Sequence, residues 1–128
     1  INISYKNDGK NKYLIYGIEN RIEQIIANLL DNAISFSDDN KDVIVQVSKS
    51  EDNKVYIKIL DEGQGFKEKD TNKIFKRFYS NRPDKFGQHS GLGLNIVKNL
   101  VDLHNATIKA TNRQDKKGAS MEIEFPKV

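Results

Sequence analysis

Two asparagines lie one helical turn apart in the first strongly periodic stretch of the sequence. At about 100° per residue, Asn28, Asn32 and Ser35 fall within a narrow arc at the edge of an apolar stripe. Amide side chains there could carry chemistry, or they could cap hydrogen bonds of the core. The spacing alone favours the second interpretation, so the pair needs support from other parts of the sequence.

A second candidate is the pattern Asp61-x-Gly63-x-Gly65, which directly follows a predicted strand. A carboxylate held at a strand end can accept a hydrogen bond from the amino group of a nucleotide base. Glycines lack a Cβ, so they let the backbone and a ligand approach closely. Glycines after a strand also mark ordinary tight turns. The pattern is short, and it leaves both interpretations open.

A third candidate is Ser90-Gly91-Leu92-Gly93-Leu94, which opens a predicted helix. Free N–H groups and the helix dipole make such a start suitable for binding phosphate. The pattern differs from a dinucleotide-binding fingerprint, because Ile96 occupies the third glycine position and a polar loop precedes it. It also lacks the Gly-Lys-Ser/Thr of a Walker A loop. A flexible hinge is the alternative interpretation.

Between the two glycine motifs lies a segment rich in aromatic residues and cations. Phe75, Phe78 and Tyr79 could form core or cover, and Arg77 could be a surface residue. In a loop above a phosphate site, however, Arg77 and the later cations Arg82 and Lys85 would be candidates for neutralising a triphosphate.

Apolar periodicity predicts the elements that position these residues. Asn20-x-x-Glu23 resembles a capping box at the start of an amphipathic helix over residues 20–36. Further helices are predicted over residues 69–78 and 94–103, and strands over residues 43–47, 55–59, 107–111 and 121–125. Residues 1–6 and 13–16 are expected to form a hairpin. This order predicts an α/β two-layer sandwich, with a mixed, mostly antiparallel sheet of about five strands covered on one face by helices.

Length and composition limit the classes of function. The 128 residues suit a single domain, and the absence of cysteine excludes a disulfide scaffold or a thiolate metal site. The 21 basic and 18 acidic residues are interleaved, unlike the basic patch typical of a nucleic-acid binder. No apolar run is long enough to span a membrane. The chain starts at Ile1 without a visible signal peptide, which suggests a piece of a longer protein.

The four motifs occur in one order: an asparagine pair, Asp-x-Gly-x-Gly, a Phe-rich segment and Gly-x-Gly at a helix start. This order, within residues 18–126, resembles the N, G1, F and G2 boxes of the catalytic domain of sensor histidine kinases. These kinases share the Bergerat fold with type II topoisomerases and MutL-type proteins. The stretches Phe78-Tyr79-Ser80-Asn81-Arg82-Pro83 and His89-Ser90-Gly91-Leu92-Gly93-Leu94 further resemble the ChvG-type kinases of alphaproteobacteria.

The resemblance implies cofactors and residue roles. The cofactors would be ATP and Mg²⁺, with Asn32 as the metal ligand and Asn28 beside the phosphates. Asp61 would accept from the adenine amine, Phe36 would stack on adenine, and Arg77 would reach the terminal phosphates. Catalytic roles fall to Asn28 and Arg77. The whole implied nucleotide-contacting set is Asn28, Asn32, Ser35, Phe36, Asp61, Gly63, Gly65, Arg77, Tyr79, Ser90, Gly91, Leu92, Gly93, Leu94 and Ser120.

Two positions depart from the family pattern. Ser35 stands where many members have a lysine, and His89 stands where the first G2 glycine is usual. Arg82 or Lys85 could replace the missing phosphate contact. The departures keep open a degenerate module that binds nucleotide without catalysis.

The resemblance also implies partners. Neither His89 nor His104 has the context of a phosphoacceptor, so the acceptor would lie on a separate dimerisation hairpin of the same kinase. The implied activity is transfer of the γ-phosphoryl group to that histidine, with a response regulator downstream and no nucleic acid. The implied whole protein is a membrane-anchored homodimer with this domain in the cytoplasm. An ATP-hydrolysing relative and a serine kinase of the anti-sigma-factor type are the alternatives.

Overall fold

From residue 19 onward, the strands and helices that the structure describes occur in the order that the sequence predicted. The structure, a computed structural model, describes residues 2–6, 13–37, 40–66, 74–75 and 93–128. Within these residues the elements are β1 (Asn2–Lys6), α1 (Glu19–Phe36), β2 (Asp42–Lys49), β3 (Val55–Leu60), α2 (Gly93–Leu103), β4 (Thr107–Asn112) and β5 (Ala119–Phe125). Of the predicted helix over residues 69–78, only residues 74 and 75 are described, and both have 3₁₀ conformation.

The strands form one sheet in the order β1-β2-β3-β5-β4. β1 runs parallel to β2, and the other neighbours are antiparallel. The register aligns Val45, Ile59, Met121 and Ala110 in one row across four strands. Because side chains alternate between the faces of a sheet, this row and its equivalents line one face, and the helices pack on that face. The predicted two-layer fold with a mixed sheet is therefore confirmed.

The predicted hairpin at the start of the chain is wrong. β1 pairs with β2 instead, and residues 13–18 are neither strand nor helix. Tyr13 and Ile15 pack against the core, whereas Leu14 and Tyr16 are exposed. This alternation in an extended segment resembles that of a strand, although the segment has no ladder. The parallel pairing of β1 is possible because α1 provides the crossover connection to β2.

The start of α1 differs from the predicted capping box. The helix begins at Glu19, so Asn20 lies within it, and Ile18 occupies the cap position without a side-chain cap. Nε2 of His104 accepts a hydrogen bond from the Ile18 N–H at 3.1 Å, while Nδ1 lies 2.7 Å from the carbonyl oxygen of Leu100. The imidazole is therefore neutral, with its proton on Nδ1. His104 fixes the end of α2 beside the start of α1.

The core lies between the helices and the sheet. α1 contributes Ile25, Leu29 and Ala33, and α2 contributes Val97 and Val101. Each large apolar side chain that is fully buried stabilises the fold by roughly 1.5–3 kcal/mol. Among the described residues, no helix combines the length and apolar character needed to cross a membrane.

The open face of the sheet carries cross-strand polar pairs. Tyr56 Oη donates a hydrogen bond to Glu124 Oε1 at 2.7 Å, and Lys54 lies 3.6 Å from the same oxygen. On the next rung, Lys58 Nζ lies 3.5 Å from Glu122. The hydrogen bond from Tyr56 lowers the pKa of Glu124, and it raises the pKa of Tyr56 to about 12. This face is therefore solvated and held by pairs of opposite charge.

We predict that Tyr56→Phe raises the pKa of Glu124 towards its ordinary value. The folded pKa of Glu124 is lowered, so its hydrogen bond stabilises the fold above the unfolded pKa and is lost as pH falls through the folded pKa. At neutral pH the variant should therefore have a lower free energy of unfolding than the wild type. On acidification from pH 7 to pH 3, its free energy of unfolding should fall by less than that of the wild type. Carboxyl NMR titration and urea unfolding at pH 7 and pH 3 measure these effects. Tyr16→Phe, at an exposed tyrosine, is the matched control; equal behaviour of the two variants would contradict the assignment.

Candidate functional site

The asparagine pair lies on the border of the buried face of α1. Asn28 and Asn32 are half-buried, next to the buried residues Leu29 and Ala33. Truncating either side chain would remove polar atoms at the rim of the core while the packed apolar stripe stays intact. The amide oxygens are ligands that a hard cation prefers. This placement fits residues that present polar atoms to a bound group.

Asp61 is a buried acidic residue whose backbone and carboxylate are both hydrogen-bonded. It is 3% exposed and directly follows β3. Its Oδ1 atom accepts hydrogen bonds from the backbone N–H of Gly63 at 2.9 Å and of Ala119 at 3.1 Å. Its own N–H donates to the carbonyl oxygen of Ala119 at 3.0 Å. These bonds fix both the backbone and one carboxylate oxygen, so the carboxylate is a pre-positioned acceptor.

The end of α1 and the Asp61 loop meet at Gly63. A Cβ at this position would collide with the carbonyl oxygen of Phe36, so a larger residue would force the two segments apart. Phe36, the last residue of α1, therefore lies beside the loop that carries Asp61. Gly65 is buried and has a φ of 77°. The structure brings together the predicted aromatic residue and the predicted base acceptor.

α2 packs against α1, and its C-terminal end lies beside Ile18. Asn95, in the first turn of α2, donates a hydrogen bond to the carbonyl oxygen of Phe75 at 3.2 Å. The Phe-rich segment is thereby joined to the start of α2.

The other predicted site residues differ in burial and in the face on which they lie. Gly93 is exposed and Leu94 is half-buried at the start of α2, while Ser35 is half-buried on α1. Ser120 is buried and pairs with Leu60, so strand alternation directs its side chain to the face opposite to that of Asp61. Ala119 is the neighbour of Asp61 instead. The remaining predicted residues lie outside the described residues: Arg77, Tyr79, Ser90, Gly91 and Leu92.

The sequence did not indicate the residues at the end of β4 and in the β4–β5 connection that hold the Asp61 loop. Arg113 Nη1 donates to the carbonyl oxygen of Asp61 at 3.2 Å. Asn112 accepts from the N–H of Phe66 at 2.6 Å and donates to its carbonyl oxygen at 3.0 Å. Lys116 lies 3.1 Å from Glu62. Arg113 and Asp115 at two-residue spacing were a possible signal, but a turn rich in charged residues is usually exposed.

Comparisons with known proteins agree with this geometry. The family model "Histidine kinase-, DNA gyrase B-, and HSP90-like ATPase" matches residues 17–128. The sensor protein ChvG of Agrobacterium fabrum is 37% identical over 116 residues, which are 88% of this chain and 19% of ChvG. The chain thus spans about a fifth of that relative's length.

Two solved structures share the fold. The mycobacterial sensor histidine kinase MprB has a TM-score of 0.83 at 23% identity, covering 98% of this chain and 80% of that one. Full-length ShkA, in complex with AMPPNP, has a TM-score of 0.80 at 25% identity, covering 98% of this chain and 25% of that one. The predicted resemblance to sensor histidine kinases, including the ChvG type, is confirmed. The chain therefore belongs to the histidine kinase-, DNA gyrase B- and HSP90-like ATPase family, as a catalytic domain of the sensor histidine kinase type.

Proposed function

We propose that this domain binds Mg·ATP and transfers the γ-phosphoryl group to a histidine on the dimerisation hairpin of the same sensor kinase. The observation that carries the proposal is the buried carboxylate of Asp61, held by two backbone N–H groups beside Phe36 and Gly63. A buried carboxylate with fixed geometry suits recognition of a base. The similarity to ShkA, which was solved with AMPPNP, supports the same ligand class.

Recognition of adenine follows from the donor and acceptor pattern. The carboxylate of Asp61 accepts hydrogen bonds and offers no donor when ionised. Adenine presents an amino group at the position where guanine presents a carbonyl oxygen, so the same carboxylate would repel guanine. Phe36 supplies an aromatic ring from the adjoining end of α1. The domain should therefore prefer ATP over GTP.

The phosphate side of the site involves α1. Mg²⁺ binds oxygen ligands and usually keeps several waters and phosphate contacts, so a single amide oxygen from Asn32 fits its chemistry. When bound, the cation neutralises charge that develops on the phosphates. Asn28 lies one helical turn away on the same helix. Arg77 and the residues Ser90, Gly91 and Leu92 complete the proposed phosphate site, together with Gly93 and Leu94.

Asn28 separates transfer from hydrolysis. A general base must accept a proton from water, and a carboxamide does not do so at physiological pH. Hydrolytic members of the wider superfamily carry a glutamate at this position. Asn28 thus favours transfer to a protein acceptor over hydrolysis. A serine kinase of the anti-sigma-factor type and a module that binds nucleotide without catalysis are the other candidates.

The whole protein is proposed by analogy with its relatives. The chain covers 19% of ChvG, so most of such a kinase, including regions that would contact partners, is not part of this domain. We propose a homodimeric, membrane-anchored sensor kinase with this domain on the cytoplasmic side, acting on a response regulator. The dimerisation hairpin would be the direct partner of the domain.

Asp61→Asn should weaken ATP binding by about 10- to 150-fold, which is the loss of a charge-assisted hydrogen bond worth about 1.5–3 kcal/mol. The new amide oxygen can still accept from Gly63 and Ala119, so the fold should persist while the NH₂ group opposes the adenine amine. Calorimetry with ATP and GTP measures the affinities. Asp102→Asn, at an exposed aspartate paired with Lys98, is the control. Unchanged affinity and unchanged discrimination against GTP would refute the role of Asp61.

Asn32→Ala should abolish Mg-dependent ATP binding with little effect on the fold, because the side chain lies at the edge of the buried stripe. Calorimetry with and without Mg²⁺, together with urea unfolding, distinguishes ligand loss from unfolding. Asn99→Ala, at an exposed asparagine of α2, is the matched control. If Asn32→Ala retains the Mg·ATP affinity of the wild type, the metal assignment is wrong.

The domain alone should bind ATP, hydrolyse it barely above background and leave itself unlabelled. Adding the dimerisation hairpin of the same kinase should produce phosphohistidine, because positioning the acceptor in line with the γ-phosphate accounts for most of phosphoryl-transfer catalysis. The measurement uses γ-labelled ATP with the hairpin, and with a hairpin whose acceptor histidine is replaced by glutamine. Acid-labile label on the first hairpin alone is the expected result. Rapid phosphate release by the domain would indicate a hydrolase, and acid-stable label would indicate a serine kinase.

A further inference from the structure

We propose that Arg113 is a positioning residue for nucleotide recognition, acting through the backbone of Asp61. This inference rests on the proposed function, because it takes Asp61 to be the residue that accepts from the base. It adds that Arg113, in the β4–β5 connection, controls the orientation of Asp61. Arg113 itself would make no contact with the nucleotide. Its effect would come from the orientation that it imposes on Asp61.

The guanidinium of Arg113 is buried although the connection around it is exposed. Its side chain is 4% exposed, whereas that of Asp115 is 65% exposed. Nε and Nη2 donate to the two carboxylate oxygens of Asp115 at 3.0 and 2.8 Å, and Nη1 donates to the carbonyl oxygen of Asp61 at 3.2 Å. A planar fork that is held on two sides has one orientation only. Asp115 therefore holds the guanidinium of Arg113 in the orientation in which it contacts the carbonyl oxygen of Asp61.

The contact with Arg113 adds to the backbone bonds that hold Asp61. The N–H of Asp61 donates to Ala119, and Oδ1 accepts from Gly63 and Ala119. The carbonyl oxygen is the remaining backbone group, and Arg113 binds it. This carbonyl belongs to the Asp61–Glu62 peptide, which immediately precedes the Glu62–Gly63 peptide whose N–H donates to Oδ1. The bond from Arg113 limits rotation of the Asp61–Glu62 peptide, so it restrains the backbone from which the Asp61 side chain projects.

The backbone of the connection packs against the same carbonyl group. Gly118 has a φ of 145°, and a Cβ there would collide with the carbonyl oxygen of Asp61. The N–H of Arg113 donates to the carbonyl oxygen of Gly118 at 2.9 Å, which closes the connection. Asn112 holds the other end of the loop through both backbone groups of Phe66. The end of β4 and the β4–β5 connection thus contact both ends of the loop from Asp61 to Phe66.

The test is the affinity of this chain for ATP and for GTP in the variant Arg113→Met, which keeps the length of the side chain and removes the fork. We expect ATP to bind about tenfold more weakly, as for loss of a hydrogen bond to a charged group. The ratio of the affinity for ATP to the affinity for GTP should also fall. Arg113→Lys should rescue little, because an ammonium cannot bind Asp115 and Asp61 in the same fork geometry. The free energy of unfolding is measured for each variant, and the affinities are compared under conditions in which every variant is fully folded.

Two further variants make the outcome decisive. Asp115→Asn changes an exposed residue and weakens the hold on Arg113, so it should shift the ATP/GTP ratio in the same direction by a smaller amount. Lys58→Met removes a cation from a pair on the open face and should leave the ratio unchanged. If Arg113→Met and Asp115→Asn lower stability but keep the wild-type ATP affinity and ratio, the inference is wrong. If the wild-type chain binds no ATP, the proposed function fails instead.

Discussion

The buried carboxylate of Asp61 imposes the constraint on which the rest of the site depends. A carboxylate removed from water is costly unless donors surround it, and here the donors are backbone N–H groups from the following loop and from β5. Those donors are available only if β3 and β5 are neighbours in register and if the chain turns sharply at Gly63. The sheet order, the glycine pattern and the packing of the end of α1 are thus linked to one side chain.

The packing of the two helices places polar residues at the rim of the apolar core. α1 buries Ile25, Leu29 and Ala33 and leaves Asn28 and Asn32 at the edge of that stripe. α2 is held against it by packing along its length and by His104 at its end. Because the imidazole is neutral and bonded on both sides, it links the two helices without introducing a buried charge. The geometry of the rim therefore follows from how the helices pack.

Local pattern predicted most of the fold and the residues from which the site is proposed. α1 and strands β2 to β5 were predictable because their apolar residues repeat at the period of the element. The pairing of β1 was not, because alternation in residues 13–16 reflects packing of an extended segment and does not identify a strand partner. The start of α1 depends on His104, 86 residues away in the chain, which local capping rules cannot include. Arg113 was missed for the same reason, since its burial depends on contacts with a loop about fifty residues earlier.

The parallel pairing of β1 with β2 determines how far the N-terminal end of this domain can be shortened. β1 covers the outer edge of β2, and β4 forms the opposite edge of the sheet. The family match begins at residue 17, so a shorter protein that followed it would lose β1 and expose the backbone donors and acceptors of β2. An uncovered edge strand is a template for pairing with other chains. Solubility should thus require the residues that precede the matched family region, and a shortened domain should self-associate through β2.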